Sequence, residues 1–163
     1  MDANVLIAGI RLPRWPHEVM RAALAGYFDV ALPQQVIAEA RRHLETPAQA
    51  EVLNFFLASS GYEELPMPPA DLVRQRSDLV RSEKDVPIAL TLLASDVDIF
   101  VTNDRDFTDP DATAQRFRDR VRVMLPAVFL REVMGWRAED LEAIRNRAWP
   151  DIAVEEPSEE SDG

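Results

Sequence analysis

From Asp85 to Asp106 the chain reads DVPIALTLLASDVDIFVTNDRD, two apolar runs of different length joined by a polar turn. The first run, DVPIALTLLAS, predicts a helix that is apolar almost all round, and such a helix must be covered on every side. The second, DIFVT, is short, β-branched and aromatic, and predicts a buried strand. A covered helix feeding a buried strand is the unit of an α/β fold with a parallel sheet. The flanking segments extend the pattern. YFDVALP and RVRVMLP read as short strands and YEELP as a weak one, while WPHEVMRAALAG, QQVIAEARRHLE, AQAEVLNFFLASSG, ADLVRQRSDLVRS, AVFLREVMGW and AEDLEAIRNRAW read as helices. Pro16 suits the first turn of its helix and Gly26 its C-terminal cap. Strand and helix alternate, which predicts a doubly wound sandwich.

A length of 163 residues fits one domain with a real core. We find no internal repeat and no linker. The chain has no cysteine and only two histidines, His17 and His43, so thiolate sites are excluded and a histidine-built zinc site would need several carboxylates. Neither histidine has a metal-ligand spacing. The start has no signal-peptide pattern and no apolar run reaches the ~20 residues needed to span a bilayer, so the expected location is cytoplasmic, with no membrane partner. The net charge of −11 is uneven. Residues 151–163 hold six acids and no base, a tail expected to be disordered. The body that remains carries 23 acids against 18 bases, and Lys84 is its only lysine. That balance argues against a broad, nonspecific DNA binder. It leaves room for a metal-dependent phosphodiesterase, whose acids must cluster.

Four acids fall where such a fold would gather them. Asp2 stands at the start, Glu39 on the flank of an amphipathic helix, Asp85 at the entrance of the buried helix and Asp104 just past the strand DIFVT. Active groups of parallel α/β folds collect past the carboxyl ends of strands. Asp106, Asp109 and Asp111 add acid to the same loop. Each has an ordinary structural explanation: Asp85 as a helix N-cap worth ~1 kcal/mol, Asp104 as a turn acid, Glu39 as a solvated flank residue. Together they form a set that is costly without a counter-charge and that suits a hard divalent cation with oxygen ligands. One or two such ions can position water for in-line attack on a phosphodiester.

The motifs DANVLIAG, VIAEARRHL, KDVPIALTLLASDVDIFVTNDRDF and VRVMLPAVFLREVMGW together resemble those of the PIN-domain nucleases, most like the VapC-type toxins of bacterial toxin–antitoxin systems. The resemblance covers roughly residues 1–135. It implies a PIN-like three-layer α/β/α sandwich with a mostly parallel central sheet, followed by a helical extension over 136–150. By position it makes Asp2, Glu39, Asp85 and Asp104 the catalytic acids, with Asp2, Asp85 and Asp104 as metal ligands. Asp106 is either a further ligand or a loop acid. Asn4 and Thr102 fall where groups orienting those ligands are expected. The implied activity is Mg²⁺- or Mn²⁺-dependent cleavage of single-stranded RNA. The implied partners are a cognate antitoxin protein and a second copy of the chain as a homodimer.

In that family an apolar strand leads into the first Asp, so the expectation is a late start, with about five apolar residues ahead of Asp2 in the native protein. Arg11, Arg14, Arg41 and Arg42 could meet RNA phosphates or be merely solvated. Trp15, Trp136 and Trp149 are expected to pack rather than stack on bases, and Met20, Met67, Met124 and Met134 to fill core and edges. Two other functions remain open: a catalytically inactive PIN-like module that binds RNA or protein, and a phosphoacceptor domain. The latter needs a lysine on a late strand, whereas Lys84 precedes a helix.

Overall fold

The structure, a computed structural model, describes residues 1–110, 113 and 115–152; Asp111 and the tail from residue 153 lie outside it. Its first half runs α1 (Ala3–Arg11), α2 (Trp15–Leu24), β1 (Ala31–Pro33), α3 (Gln34–His43), α4 (Pro47–Ser59), β2 (Glu63–Leu65) and α5 (Ala70–Gln75). The second half runs α6 (Val86–Leu93), β3 (Ile99–Val101), α7 (Arg105–Thr108), α8 (Gln115–Arg120), β4 (Arg122–Met124), α9 (Pro126–Glu132) and α10 (Ala138–Ala143). The chain is therefore mixed α/β with short parallel strands. None of the described helices is long and apolar enough to cross a membrane.

Helix starts follow the expected chemistry. Pro16 sits in the first turn of α2, and Thr46 accepts the Gln49 amide ahead of α4. Gly26, at φ 80°, ends α2 in a conformation that side chains with a Cβ rarely adopt. Gly9 does different work: a Cβ there would lie 2.6 Å from Met20 Sδ and 3.0 Å from the Pro16 backbone, so its absence lets α1 and α2 pack closely.

The expected single sheet is not present among the described residues. Instead β1 pairs with β2, Ala31 opposite Glu63, and β3 pairs with β4, Ile99 opposite Arg122. Both pairs are parallel, and each strand has three residues. The second edge of β3 is used by the chain start. Asp98 accepts from Arg122 and Thr102 donates to Met124 on the β4 side, while the Val101 carbonyl between them accepts the Asp2 amide at 2.9 Å. Alternate residues of a strand bond to opposite sides, so Asp2 is docked on the edge away from β4. Met1 is buried there in the core.

One core unites both sheets. Leu6, Leu32, Phe56, Leu79 and Phe100 are fully buried, and Phe107 meets Phe100 and Phe117 edge-on or tilted at 5.0 and 5.8 Å. Two helices are shorter than their periodicity predicts. α5 ends at Gln75, because Leu79 and Val80 must drop into the core and Val80 forms an antiparallel bridge to Thr113. α10 ends at Ala143, and the chain then turns back to pack on α1 and α2: Arg147 donates to the Pro13 carbonyl at 2.6 Å and Trp149 to that of Arg11 at 2.9 Å. Asp151, the first residue of the segment expected to be disordered, instead closes a 3₁₀ turn by accepting the Ala148 amide. Trp15 packs likewise, its indole donating to the Leu141 carbonyl.

Candidate functional site

The carboxyl ends of β1 and β3 open onto a pocket of about 310 Å³ lined by Asp2, Glu39, Asp85 and Asp104. All four acids singled out in the sequence therefore face one space. Asn4, Gln35, Arg42 and Lys84 share its walls, as do Ile7, Met67 and Ile88.

Thr102 is the node that ties the two strand-end acids together. Its hydroxyl donates to Asp2 Oδ2 at 2.6 Å and accepts the Asp104 amide at 3.0 Å. Asn4 adds a bond to the same Asp2 oxygen at 3.1 Å, reaches the Thr102 hydroxyl at 3.3 Å, and accepts the Asn103 amide at 3.0 Å. Asp2 Oδ1 accepts the Ala3 amide. Asn4 and Thr102 thus hydrogen-bond Asp2, and Thr102 also meets the backbone of Asp104. Burial pushes the Asp2 carboxyl above its usual range even against the stabilising bonds from Thr102 and Ala3, and the charge of Glu39 adds to the rise. Burial also lowers the Met1 amine to about 6, against the pull of Asp2.

Two of the acids cap helices, and Asp85, the one expected to do so, does not. Asp2 caps α1 and Asp104 Oδ1 caps α7 through the Asp106 amide at 2.9 Å. Asp85 stands at the N-cap of α6 and makes no capping bond. A 3₁₀ turn over Glu83–Asp85 swings it inward, and it is 6% exposed. Ser82 hydrogen-bonds the carboxyl, yet Oδ2 is buried with no partner at all. Burial, reinforced by the negative charge of Asp104, pushes its pKa up to about 6. A buried carboxylate oxygen left bare costs on the order of 1–3 kcal/mol, so the unpartnered atom calls for an explanation.

Asp85, Asp104 and Asp106 each offer an oxygen within 4.8 Å of the other two. Among the described residues this is the one group of acids close enough to share an ion. Oxygen donors alone, one of them unpartnered, fit a hard divalent cation. Asp106 belongs to this group though not to the pocket lining, while Asp2 and Glu39 line the pocket outside the group of three.

Of the four arginines, only Arg42 lines the pocket. Arg11 is spent on the His43 carbonyl and Glu45, Arg14 on the Arg147 carbonyl and Arg41 on Asn54. Sequence reasoning missed Gln35 and Arg81. Gln35 sits one turn before Glu39 on α3, a helical spacing that could have pointed to it. Lys84 does reach the pocket, though from the turn before α6 and not from a strand. No protein-family model, curated protein or solved structure matches this chain.

Proposed function

We propose that this chain is a divalent-cation-dependent endoribonuclease that cleaves single-stranded RNA, on a PIN-like sandwich. The observation that carries the reading is Asp85, which carries a buried Oδ2 without a hydrogen-bond partner and whose carboxyl is grouped with those of Asp104 and Asp106 at ligand spacing. Those three acids would hold Mg²⁺ or Mn²⁺. Bound there, the cation would lower the pKa of water and neutralise charge on a phosphodiester. The protein's own groups do the rest. Glu39 takes the proton of the attacking water as the new P–O bond forms, and the bond to the leaving ribose oxygen breaks with that oxygen taking the bonding pair and a proton from solvent. Arg42 and Lys84 offset phosphate charge at the pocket wall, and the Thr102–Asn4 pair keeps Asp2 fixed.

The biological setting of this reading is the toxin half of a type II toxin–antitoxin pair, acting as a cytoplasmic homodimer and inhibited by a cognate antitoxin. Met67, 57% exposed and lining the pocket, supports such a partner by giving a peptide apolar purchase. A second reading, an inactive RNA- or protein-binding module, has its own support: Asp2 already accepts three hydrogen bonds, leaving it few lone pairs for an ion.

Calorimetric titration with Mn²⁺ and an RNA-cleavage assay separate the two. Wild type should bind the ion and cleave, and Asp104→Asn should cut cleavage by roughly 10³-fold, as expected when the cation that stabilises developing charge loses a ligand. Wild type that binds RNA but neither binds Mn²⁺ nor cleaves would establish the inactive module instead.

A further inference from the structure

Arg81 lies outside the pocket lining, in the loop between α5 and α6, yet it is tied to the acid group. Two of its donors converge on one oxygen: Nε reaches Asp106 Oδ1 at 3.1 Å and Nη2 reaches the same atom at 2.8 Å. Its third nitrogen, Nη1, lies 3.9 Å from Asp109 Oδ2. Both short bonds therefore use a single carboxylate oxygen and leave the other for a different ligand.

The pair is anchored from both sides. Leu79 and Val80, just before Arg81, are buried, and Val80 bridges to Thr113. The Thr113 hydroxyl in turn donates to the carbonyls of Asp106 at 2.6 Å and Phe107 at 3.2 Å. The Asp106 amide is fixed on Asp104 Oδ1. An ordinary surface ion pair has neither end held this way and contributes little. Here the guanidinium holds Asp106 through one oxygen, Oδ1, with two donors at once.

We infer that Arg81 is a positioning residue that presents Asp106 to a divalent cation shared with Asp85 and Asp104. The inference rests on the metal-site reading above and assigns Asp106 as a ligand instead of a loop acid. Partners that orient metal ligands matter by roughly 10–100-fold in affinity. Plain electrostatics has the opposite sign: deleting a positive charge near carboxylates should tighten cation binding. The sign of the change therefore discriminates between the two.

The experiment is Mn²⁺ binding by calorimetry to wild type, Arg81→Ala, Arg81→Lys, Asp106→Ala and the double variant Arg81→Ala/Asp106→Ala. Because Arg81 is largely exposed, Arg81→Ala should keep the wild-type melting temperature, and Arg81→Lys provides a milder variant should it not. We expect Arg81→Ala to weaken binding roughly 10–100-fold and Arg81→Lys to restore part of the loss. In the Asp106→Ala background, Arg81→Ala should cost no more than about twofold, because its effect passes through Asp106. Unchanged or tighter binding in Arg81→Ala, or an equal loss in both backgrounds, overturns the inference and leaves the nuclease reading standing. Wild type that takes up no Mn²⁺ overturns both.

Discussion

Two buried acids, Glu18 on α2 and Asp85 ahead of α6, are 7% and 6% exposed, and the protein treats them in opposite ways. Glu18 is met by Arg147 Nη2 at 2.6 Å and by Arg21 Nη1 at 3.2 Å. Asp85 has Ser82, the repulsion of Asp104, and an oxygen with no partner. The Glu18 region joins the C-terminal segment to α2, since Arg147 also binds the Pro13 carbonyl. The Asp85 region opens on a pocket. A satisfied buried charge is architecture, whereas an unsatisfied one stores a cost that a ligand can relieve.

If that contrast holds, removing each acid should move stability in opposite directions. The largest effect is expected from Glu18→Ala. It strands the Arg147 guanidinium, whose side chain is only 20% exposed, and should cost about 2–3 kcal/mol in urea unfolding, somewhat below the range for fully buried pairs. Mn²⁺ affinity should be untouched. A loss under about 0.5 kcal/mol, the scale of ordinary surface changes, would collapse the comparison.

Asp85→Asn should act the other way. Without metal it removes a buried charge that lacks compensation, so the apo protein should gain about 1 kcal/mol, a rise in melting temperature of ~2–4 °C for a chain of this size. The same variant should lose the stabilisation that Mn²⁺ gives wild type through mass action. A less stable apo protein would mean that the bare oxygen is not a cost. Stability gained as function is lost is the usual signature of a strained site.

These residues also mark how far the sequence could be read. Glu39, Asp85 and Asp104 were legible because strand ends and helix flanks are set by local periodicity, Asp2 only through the resemblance of DANVLIAG, and the structure gathers all four around one pocket. The capping bond that Asp85 fails to make was not legible, since DVPIAL is as good a cap signal as any. Nor was Arg81: its link to Asp106 spans 25 residues and depends on Leu79 and Val80 leaving the helix that ADLVRQRSDLVRS predicts. Sheet organisation was illegible for a related reason. Strand pairing is non-local, so four short strands could be located without revealing that they form two pairs.

The last expected effect is a pH dependence, and it sharpens the contrast because Asp85→Asn isolates the part of it that Asp85 carries. The Asp85 carboxyl titrates at about 6 in the folded protein, against 3.8 ordinarily. A group whose folded pKa is raised contributes its stability in full below the unfolded value and loses it as pH rises through the folded one. The metal-free protein should therefore lose stability between about pH 4 and 6 on account of Asp85, and Asp85→Asn should flatten that part of the profile. Metal binding runs the other way, because the ion requires the carboxylate. Below about pH 6 each unit of acid should weaken Mn²⁺ roughly tenfold through this one proton, and above it the dependence on Asp85 should vanish. Calorimetry in buffers of different ionisation heat counts that proton directly. Uptake or release near zero at pH 5 would mean that Asp85 is not a ligand, and that its bare oxygen has some other cause.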